Sequence, residues 1–470
     1  MDRSTAILIA LSGYFVVLLG LGLVARARTK DAAGFYLGGR TLGPWVAALA
    51  ANASSSSAWS LVGVSGFACK EGLAALWLLP GCLGGFLLNW LVVAPRLRDD
   101  TGAAITLTEY LAGPPGSPLR REIAVVASLL TLGCLVVYVA AQMQAAGPAF
   151  VLALETSAGS GIAVGAAVTV LYTLLGGYLA VSITDTLQGL LMAAVAVVMP
   201  VAAVVHFGGP GAFAAAVAAV PADGFSTLSG DRHGLVAVGF ALGLCGIGLG
   251  YPGQPHAVNK YMGMAPGASM RVARSVGIAW AVVLYVGMIV LGLAARAAFA
   301  VPPADAESAL YVASHRLFPP VVGGIVLAAV LAAIMSTVDS QLLVCASCVT
   351  HDLGLGRAGP VGMLGTARAT VVAIGLVATV AALQLPKTVF DNVLFAWAAL
   401  GSAFGPLLLV RLCVGPVAPR FALAAIVTGG ASAIAGTYWP ILGPGFADRV
   451  LSWLLAGFLA LAGSRSPRRI

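Results

Sequence analysis

The chain has 470 residues, of which 60% are hydrophobic and only 9% are charged, and its mean hydropathy is +0.99. A water-soluble protein of this length does not carry so large an apolar fraction, so the composition predicts an integral membrane protein. The formal net charge of +8 does not indicate a nucleic-acid partner, because the basic residues lie in alternate loops between apolar segments.

Windows of about 20 apolar residues predict about 13 membrane-spanning helices in one transmembrane domain, residues 1–470, within a lipid bilayer. In chain order they lie at 5–25, 42–67, 71–96, 121–153, 158–178, 182–207, 233–255, 272–298, 319–350, 364–384, 388–412, 419–440 and 449–463. The first is interpreted as a retained helix rather than a signal peptide, because it has no small-residue cleavage site.

The predicted helices form two groups of five, at 42–207 and 233–412. One additional helix, 5–25, precedes them, and two helices within 419–463 follow. Because five is odd, the second group would cross the membrane in the opposite sense to the first. This predicts an all-α membrane protein with a 5+5 inverted repeat.

The distribution of basic residues predicts the orientation in the cell membrane. Arg40, Arg98, Arg120 and Lys260 lie in loops on one side, whereas loops on the other side carry mixed charge. The positive-inside rule then places the N-terminus outside and the C-terminus in the cytoplasm. An odd number of spans requires the same arrangement.

Two apolar segments are interrupted by polar or flexible residues. Residues 50–59 read Ala-Ala-Asn-Ala-Ser-Ser-Ser-Ser-Ala-Trp, and residues 243–255 read Gly-Leu-Cys-Gly-Ile-Gly-Leu-Gly-Tyr-Pro-Gly-Gln-Pro. Unpaired backbone groups are costly in lipid, so a helix is broken mainly where it lines a cavity or binds a ligand. Two broken helices, one in each half, indicate an alternating-access transporter.

No Walker, HExxH or GxSxG motif occurs, which argues against an enzyme or an ATP-driven pump and favours transport driven by an ion gradient. The seven cysteines lie in or near apolar spans. Cys345 and Cys348 form a CxxC pair without other metal ligands, so they are interpreted as buried small hydrophobic residues. No cofactor is expected besides a coupling ion.

Five patches, in order along the chain, resemble the sodium/solute symporter family, and especially its sodium/proline branch. They are Phe35–Val46, Tyr172–Gln188, Gly253–His256, Met335–Val344 and Ala396–Pro406. The resemblance implies a leucine-transporter-type core of five plus five helices and coupling to sodium.

By the same resemblance, the family's shared sodium site corresponds to the carbonyls of Ala53, Ser56 and Ala333 and the hydroxyls of Ser336 and Thr337. Sodium is a hard cation that prefers oxygen ligands. Ser336 and Thr337 lie near the middle of the span 319–350, which agrees with this assignment. The alternative is that these small residues only allow close helix packing.

A possible second sodium site comprises Asp185, Asp339 and Ser340. Intramembrane carboxylates are functional by default, although Ser182-x-x-Asp185 could instead cap a helix start. The sodium/proline pattern has an Asp where this chain has Ser55, so we hypothesise that Asp339 supplies the missing charge. Its helix has no Lys or Arg to offset a cost of roughly 2.5–3.5 kcal/mol, so a bound cation is the simplest partner. Alternatively, Asp339 faces a hydrated pathway and only tunes ion release.

The predicted solute-binding residues lie at or near the two interruptions. They are Ser55, Ser57, Trp59, Tyr138, Gln142, Tyr251, Gln254 and Pro255. In the sodium/proline branch a Tyr and a Pro that match Tyr251 and Pro255 shape the pocket, and Tyr138 also fits the pattern.

Three residues depart from that pattern, and others have two interpretations. Ile247 stands where the branch has Trp, and Gln142 and Gln144 replace small or apolar groups. The two glutamines would either add hydrogen-bonding groups to the cavity or bond between helices. Trp59 would line the pocket or pack, and Arg40, which also matches the family, could be only an orientation anchor.

These features predict a sodium-coupled symporter that imports a small organic solute, with proline or a related amino acid as the leading candidate. A symporter for monocarboxylates or other small anions is an alternative, which Gln142 would suit. A transporter-like membrane sensor is a third, but such domains are usually followed by a cytoplasmic signalling module, and this chain ends shortly after its last predicted helix. The predicted partners are sodium, the solute and lipid.

Overall fold

The computed structural model describes residues 3–26, 38–100, 102, 104–154, 157–175, 178–298, 305–356, 359–384 and 388–464. Within these ranges the chain is almost entirely helical, and its β-structure is limited to isolated bridges. The α-helices are α1 Arg3–Arg26, α2 Pro44–Ser55, α3 Val64–Glu71, α4 Leu78–Leu88, α5 Ala94–Asp100, α6 Leu107–Ala112, α7 Arg120–Leu154, α8 Ala158–Leu175, α9 Tyr178–His206, α10 Pro210–Ala218, α11 Gly234–Cys245, α12 Pro255–Met262, α13 Met270–Ala298, α14 Ala309–Leu317, α15 Pro320–Ser347, α16 Gly359–Ala382, α17 Val389–Cys413, α18 Pro419–Tyr438 and α19 Ser452–Ala462.

Nine helical runs among the described residues are long and apolar enough to cross a membrane, and two shorter apolar helices lie at Ile7–Leu21 and Gly159–Leu174. One of the nine, Trp59–Asp100, covers parts of two predicted spans. It is interrupted at Gly72, whose φ of +63° favours glycine. The membrane character is therefore confirmed, while the number of crossings stays a prediction.

The predicted start of the sixth span, at residue 182, is wrong. We expected a helix to begin at 182, but α9 already includes Tyr178, and residues 176–177 lie outside the described residues. The Ser182 hydroxyl donates to the Tyr178 carbonyl at 2.8 Å, one helical turn earlier. Ser182 is thus inside a helix, and the interpretation of Ser182 and Asp185 as a capping arrangement is wrong.

α9 packs on α2, α13 and α15, and α2 also packs on α13 and α15. Small residues allow these close approaches. A Cβ on Gly189 of α9 would lie 3.2 Å from the Leu49 carbonyl of α2, and one on Gly287 of α13 would overlap the Ala196 carbonyl. Outside these four helices, α1 packs on α15 and α9, and α18 and α19 pack on α17.

Arginine side chains connect neighbouring segments at one end of the bundle, which we call the basic face. Arg40 donates to the carbonyls of Gly102 and Ala104, and Arg120 forms an ion pair with Glu109 at 3.1 Å. The hydrogen bond from His351 lowers the pKa of the Glu109 carboxyl, against the opposing effect of burial. Phe35, Tyr36 and Leu37 of the first family-like patch lie outside the described residues.

At the opposite face, two carboxylate side chains make contacts between segments that are distant in sequence. Glu71 pairs with Arg232 at 2.9 Å. Glu307 accepts hydrogen bonds from the amides of Val389 and Phe390 at the start of α17, and burial raises the pKa of its carboxyl. The two interrupted segments lie between these faces.

Candidate functional site

The first interruption falls immediately after α2. Ser56 has φ −115° and ψ 24°, outside the helical range, and its amide donates to the Ala53 carbonyl at 3.2 Å. The chain then resumes as a π-helical turn, Trp59–Gly63, which leads into α3. The serine run therefore produces the predicted break in the first core helix.

Side chains satisfy the backbone amides that follow this break. The Ala58 amide donates to Gln142 Oε1 at 3.0 Å, and the Trp59 amide donates to Ser57 Oγ at 3.2 Å. Tyr138 donates its hydroxyl to the same Ser57 oxygen at 3.3 Å. Tyr138 and Gln142, one turn apart on α7, thus hold the broken segment, as internal satisfaction of backbone groups in a membrane requires.

Three of the five oxygens of the predicted sodium site lie close together between α2 and α15. Ser336 Oγ lies 3.3 Å from the Ala53 carbonyl oxygen and 3.2 Å from that of Ala333. The hydroxyls of Ser56 and Thr337 are buried, and within the described ranges neither has a hydrogen-bond partner. Such carbonyl and hydroxyl oxygens, some left unpaired, suit a small hard cation.

No group of three or more His, Cys, Asp or Glu side chains in the described part of the chain is placed to hold a metal ion.

The second interruption is longer than the first. A 3₁₀ segment, Gly246–Gly253, follows α11, and Gln254 is extended before Pro255 begins α12. The Gln254 amide nitrogen donates to the carbonyls of Gly250 at 3.2 Å and Trp397 at 3.0 Å. The break is thus fixed to α17 by a side chain from within the break itself.

Trp397 of α17 packs directly against this break. Its indole donates to the Ile247 carbonyl at 3.0 Å, and its ring meets the ring of Tyr251 edge-on at 4.7 Å. A Cβ on Gly250 would overlap the indole nitrogen, so only glycine fits there. The indole that the family pattern places at Ile247 is absent, but a different helix brings an indole to the same break.

An aromatic chain connects the two breaks. The hydroxyls of Tyr251 and Tyr285 are 2.8 Å apart, and Tyr285 also bonds Ser60 at 3.3 Å. The ring of Trp59 lies 6.2 Å from that of Tyr285 and stacks on Phe390 at 5.4 Å. Trp59 therefore packs against Tyr285 and Phe390, and its role in lining a pocket stays a prediction.

Several polar atoms beside the breaks are buried without a hydrogen-bond partner among the described residues. They are Trp59 Nε1, Gln142 Nε2 and Gln254 Oε1. Buried polar groups are normally paired, so an unpaired set around a break marks a position where a ligand can complete the bonding.

The two glutamines of α7 face different neighbours. Gln144 donates to the Ala382 carbonyl at 3.1 Å and accepts from Asn392 at 3.1 Å, so it bonds between helices. Gln142 faces the first break. Ser55, which was also predicted at the solute cavity, donates to the Asn52 carbonyl of its own helix at 3.1 Å.

A buried ionic cluster lies beside the first break. Asp185 Oδ2 is 2.9 Å from Lys260 Nζ, 3.0 Å from Ser54 Oγ and 3.5 Å from Ser340 Oγ. Asp339 is also fully buried, and neither of its carboxylate oxygens has a hydrogen-bond partner in the described ranges. The structure thus brings the three predicted residues Asp185, Asp339 and Ser340 into one region.

The placement of Lys260 in a loop is wrong. Lys260 lies in α12 with only 2% of its side chain exposed, because the helix that resumes after Pro255 turns its polar residues toward α9. The helix of Asp339 has no lysine or arginine, as expected, but the fold supplies one from α12. Two intramembrane carboxylates were the signal for such a residue, since buried charges need partners.

Two helices broken between the faces, with an oxygen cluster at one break and an aromatic lining at the other, define a secondary transporter. Over 99% of this chain and 100% of the other, the fold matches a Na⁺-coupled sialic acid symporter with a TM-score of 0.80 at 18% identity. It also matches Mhp1, a nucleobase-cation-symport-1 family transporter, with a TM-score of 0.58 at 13% identity over 91% of this chain and 94% of that one. The predicted leucine-transporter-type fold is confirmed.

The chain belongs to the sodium:solute symporter family, whose model matches residues 35–429. It is 36% identical over 443 residues to the osmoregulated proline transporter OpuE of Bacillus subtilis (strain 168), covering 92% of this chain and 88% of the relative. It is 33% identical over 465 residues to the sodium/proline symporter of Escherichia coli (strain K12), covering 95% and 91%. The predicted family is confirmed, and the protein is an integral membrane transporter rather than an enzyme.

Proposed function

We propose that this protein is a sodium-coupled symporter that imports proline or a closely related amino acid by alternating access. The observation that carries the proposal is the contact of the Ser336 hydroxyl with the Ala53 carbonyl of α2, beside the Ala333 carbonyl of its own helix, at the first break. The family membership and the names of the proline-transporting relatives support the choice of ion and of solute.

In this proposal sodium binds to the carbonyls of Ala53, Ser56 and Ala333 and to the hydroxyls of Ser336 and Thr337. The ion would join the broken end of α2 to α15. Ser57 and Trp59 follow the break directly, so fixing the break would also fix the wall of the solute cavity. This shared backbone is the proposed physical basis of coupling.

The solute would bind between the breaks, against the rings of Trp59 and Tyr251. Its carboxylate would face the unpaired amide nitrogen of Gln142 and the amino-terminal end of α12, which begins at Pro255. A helix amino terminus carries partial positive charge and favours an anionic group. The pyrrolidine ring of proline suits the apolar aromatic lining.

We further propose that the basic face lies in the cytoplasm, so that the N-terminus is outside and the C-terminus inside. The two repeats would correspond to 42–207 and 233–412. Accessibility of single cysteines placed in the loops, labelled from either side of intact cells with an impermeant reagent, tests this orientation. Labelling of the Arg120 side from outside the cell would contradict it.

The identity of the solute can be tested by competition. Sodium-dependent uptake of labelled proline into proteoliposomes should be inhibited by proline analogues that keep the ring and the carboxylate. A small monocarboxylate is the specific alternative, because the Gln142 amide can donate to any carboxylate. Sodium-dependent uptake of labelled acetate or pyruvate, without uptake of labelled proline, would favour that alternative.

A further inference from the structure

Lys260 is a buried cation at the position where a second sodium ion was expected. Its ammonium lies 2.9 Å from Asp185 Oδ2, 3.3 Å from Ser182 Oγ and 4.9 Å from the centre of the Tyr178 ring. These three partners all belong to α9, whereas Lys260 itself belongs to α12. The contact therefore links the half-helix after the second break to the helix behind the first.

The ammonium uses the same carboxylate oxygen that a second sodium ion would need. Asp185 Oδ2 already accepts from Ser54, and Ser54 and Ser340 lie 3.0 Å apart. A sodium ion at this point would have to compete with a tethered charge. Because the lysine is part of the chain, its local concentration does not depend on the sodium concentration outside.

The net charge of Asp185, Asp339 and Lys260 favours the binding of one free cation nearby. Asp185, Asp339 and Lys260 are each at most 2% exposed, and the charges of Asp185 and Lys260 both act on Asp339. When both carboxylates are ionised and the ammonium is charged, these three side chains carry one net negative charge. One sodium ion at the Ser336 site, one helical turn from Asp339, neutralises it. A second sodium ion would leave an uncompensated positive charge in an apolar interior, which is costly.

Lys260 also lies beside a small cavity of about 20 Å³, which has room for about one water molecule. The cavity is lined in part by Thr106 next to the basic face and by His256 and Ser340. The ammonium therefore has space beside it for about one water molecule on the side toward Thr106.

We propose that the Lys260 ammonium is a built-in cation that takes the place of a second sodium ion at Asp185 and limits coupling to one sodium ion per solute. This rests on the proposed sodium-coupled function. The positive charge of Lys260 takes the place of a sodium ion at Asp185, Asp339 and Ser340. Only the oxygen cluster at Ser336 then binds free sodium.

The test is the number of sodium ions bound by the purified protein without solute. Melting temperature is measured against sodium chloride, with choline chloride keeping the ionic strength constant, because the slope against the logarithm of sodium reports the ions bound. The wild-type slope should correspond to one ion. Lys260→Met should roughly double the slope, since it leaves two uncompensated carboxylates, and Lys260→Arg should keep the wild-type slope.

A second measurement compares Asp339→Asn with the double variant Asp339→Asn and Lys260→Met. It does not require the single variant Lys260→Met to be stable. Asp339→Asn leaves no net negative charge and should weaken sodium binding. Adding Lys260→Met to Asp339→Asn restores one negative charge and should restore sodium affinity. Failure of this rescue, or an unchanged slope in Lys260→Met, would overturn the proposal, and so would a wild-type slope of two ions. Absence of any sodium effect in the wild type would instead overturn the proposed function itself.

Discussion

The two breaks differ in length, in lining and in how their backbone is satisfied. The break after α2 is a single non-helical residue, Ser56, and its surroundings are carbonyl and hydroxyl oxygens. The break after α11 extends over Gly246–Gly253 and is surrounded by aromatic rings and the Gln254 side-chain amide. A short break aligns a few oxygens around an ion, and a long glycine-rich break makes room for a larger molecule.

This difference assigns the two ligands to different parts of the molecule. Side chains of α7 and α15 complete the first break, whereas α17 and the tyrosines complete the second. If the assignment is right, substitutions at the two breaks should affect sodium and solute unequally. The following predictions test that separation, from the largest expected effect to the smallest.

The largest effect is expected from Ser336→Ala combined with Thr337→Ala. Loss of two oxygen ligands, each of them worth about 0.5–1.5 kcal/mol, should raise the sodium concentration for half-maximal uptake roughly 10–100-fold. Thr337→Ser keeps the hydroxyl and is the matched control. Unchanged sodium activation in the double variant, measured with normal amounts of protein in the membrane, would remove the ion from the first break.

Asp339→Asn should weaken sodium activation by about tenfold, because it removes the net negative charge near the ion site without changing the size of the side chain. Sodium activation of proline uptake measures this effect. A variant with normal apparent sodium affinity but altered turnover would show instead that Asp339 acts on ion release. That result would also remove the idea that Asp339 replaces the charge missing at Ser55.

Tyr251→Ala should weaken solute binding by about tenfold while changing sodium binding less, since the ring lines the longer break. Tyr251→Phe keeps the ring and loses only the hydroxyl bonded to Tyr285, so it should fall between the wild type and the alanine variant. Equilibrium binding of labelled proline and of sodium gives both affinities. Equal loss of the two would place Tyr251 outside the solute cavity.

The smallest effect is expected from a matched pair on α7. Gln142→Leu leaves the Ala58 amide without its acceptor at the first break, so it should reduce proline affinity several-fold. Gln144→Leu removes the bonds to α16 and α17 and should mainly lower the melting temperature. Proline affinity and thermal stability are measured for both variants. The reverse pattern would indicate that Gln142 has only an interhelical role.

The class, the family and both breaks could be predicted from the sequence, because apolar length, serine and glycine interruptions and local motifs are properties of contiguous residues. The sodium site stays a prediction, although the sequence alone already singled out Ser336 and Thr337, which lie within one family-like motif. In contrast, Lys260, Trp397 and Tyr285 were missed. Each contributes through a contact with a helix distant in sequence, and no periodicity or spacing indicates which loop or helix residue becomes buried against another.

The central claim is that an inward sodium gradient drives accumulation of proline. It is tested most directly with purified protein in proteoliposomes, by measuring labelled proline inside against time with sodium outside and potassium inside. We predict transient accumulation above the external concentration, abolished by a sodium ionophore and absent when choline replaces sodium. Equal uptake with and without the sodium gradient would contradict the account.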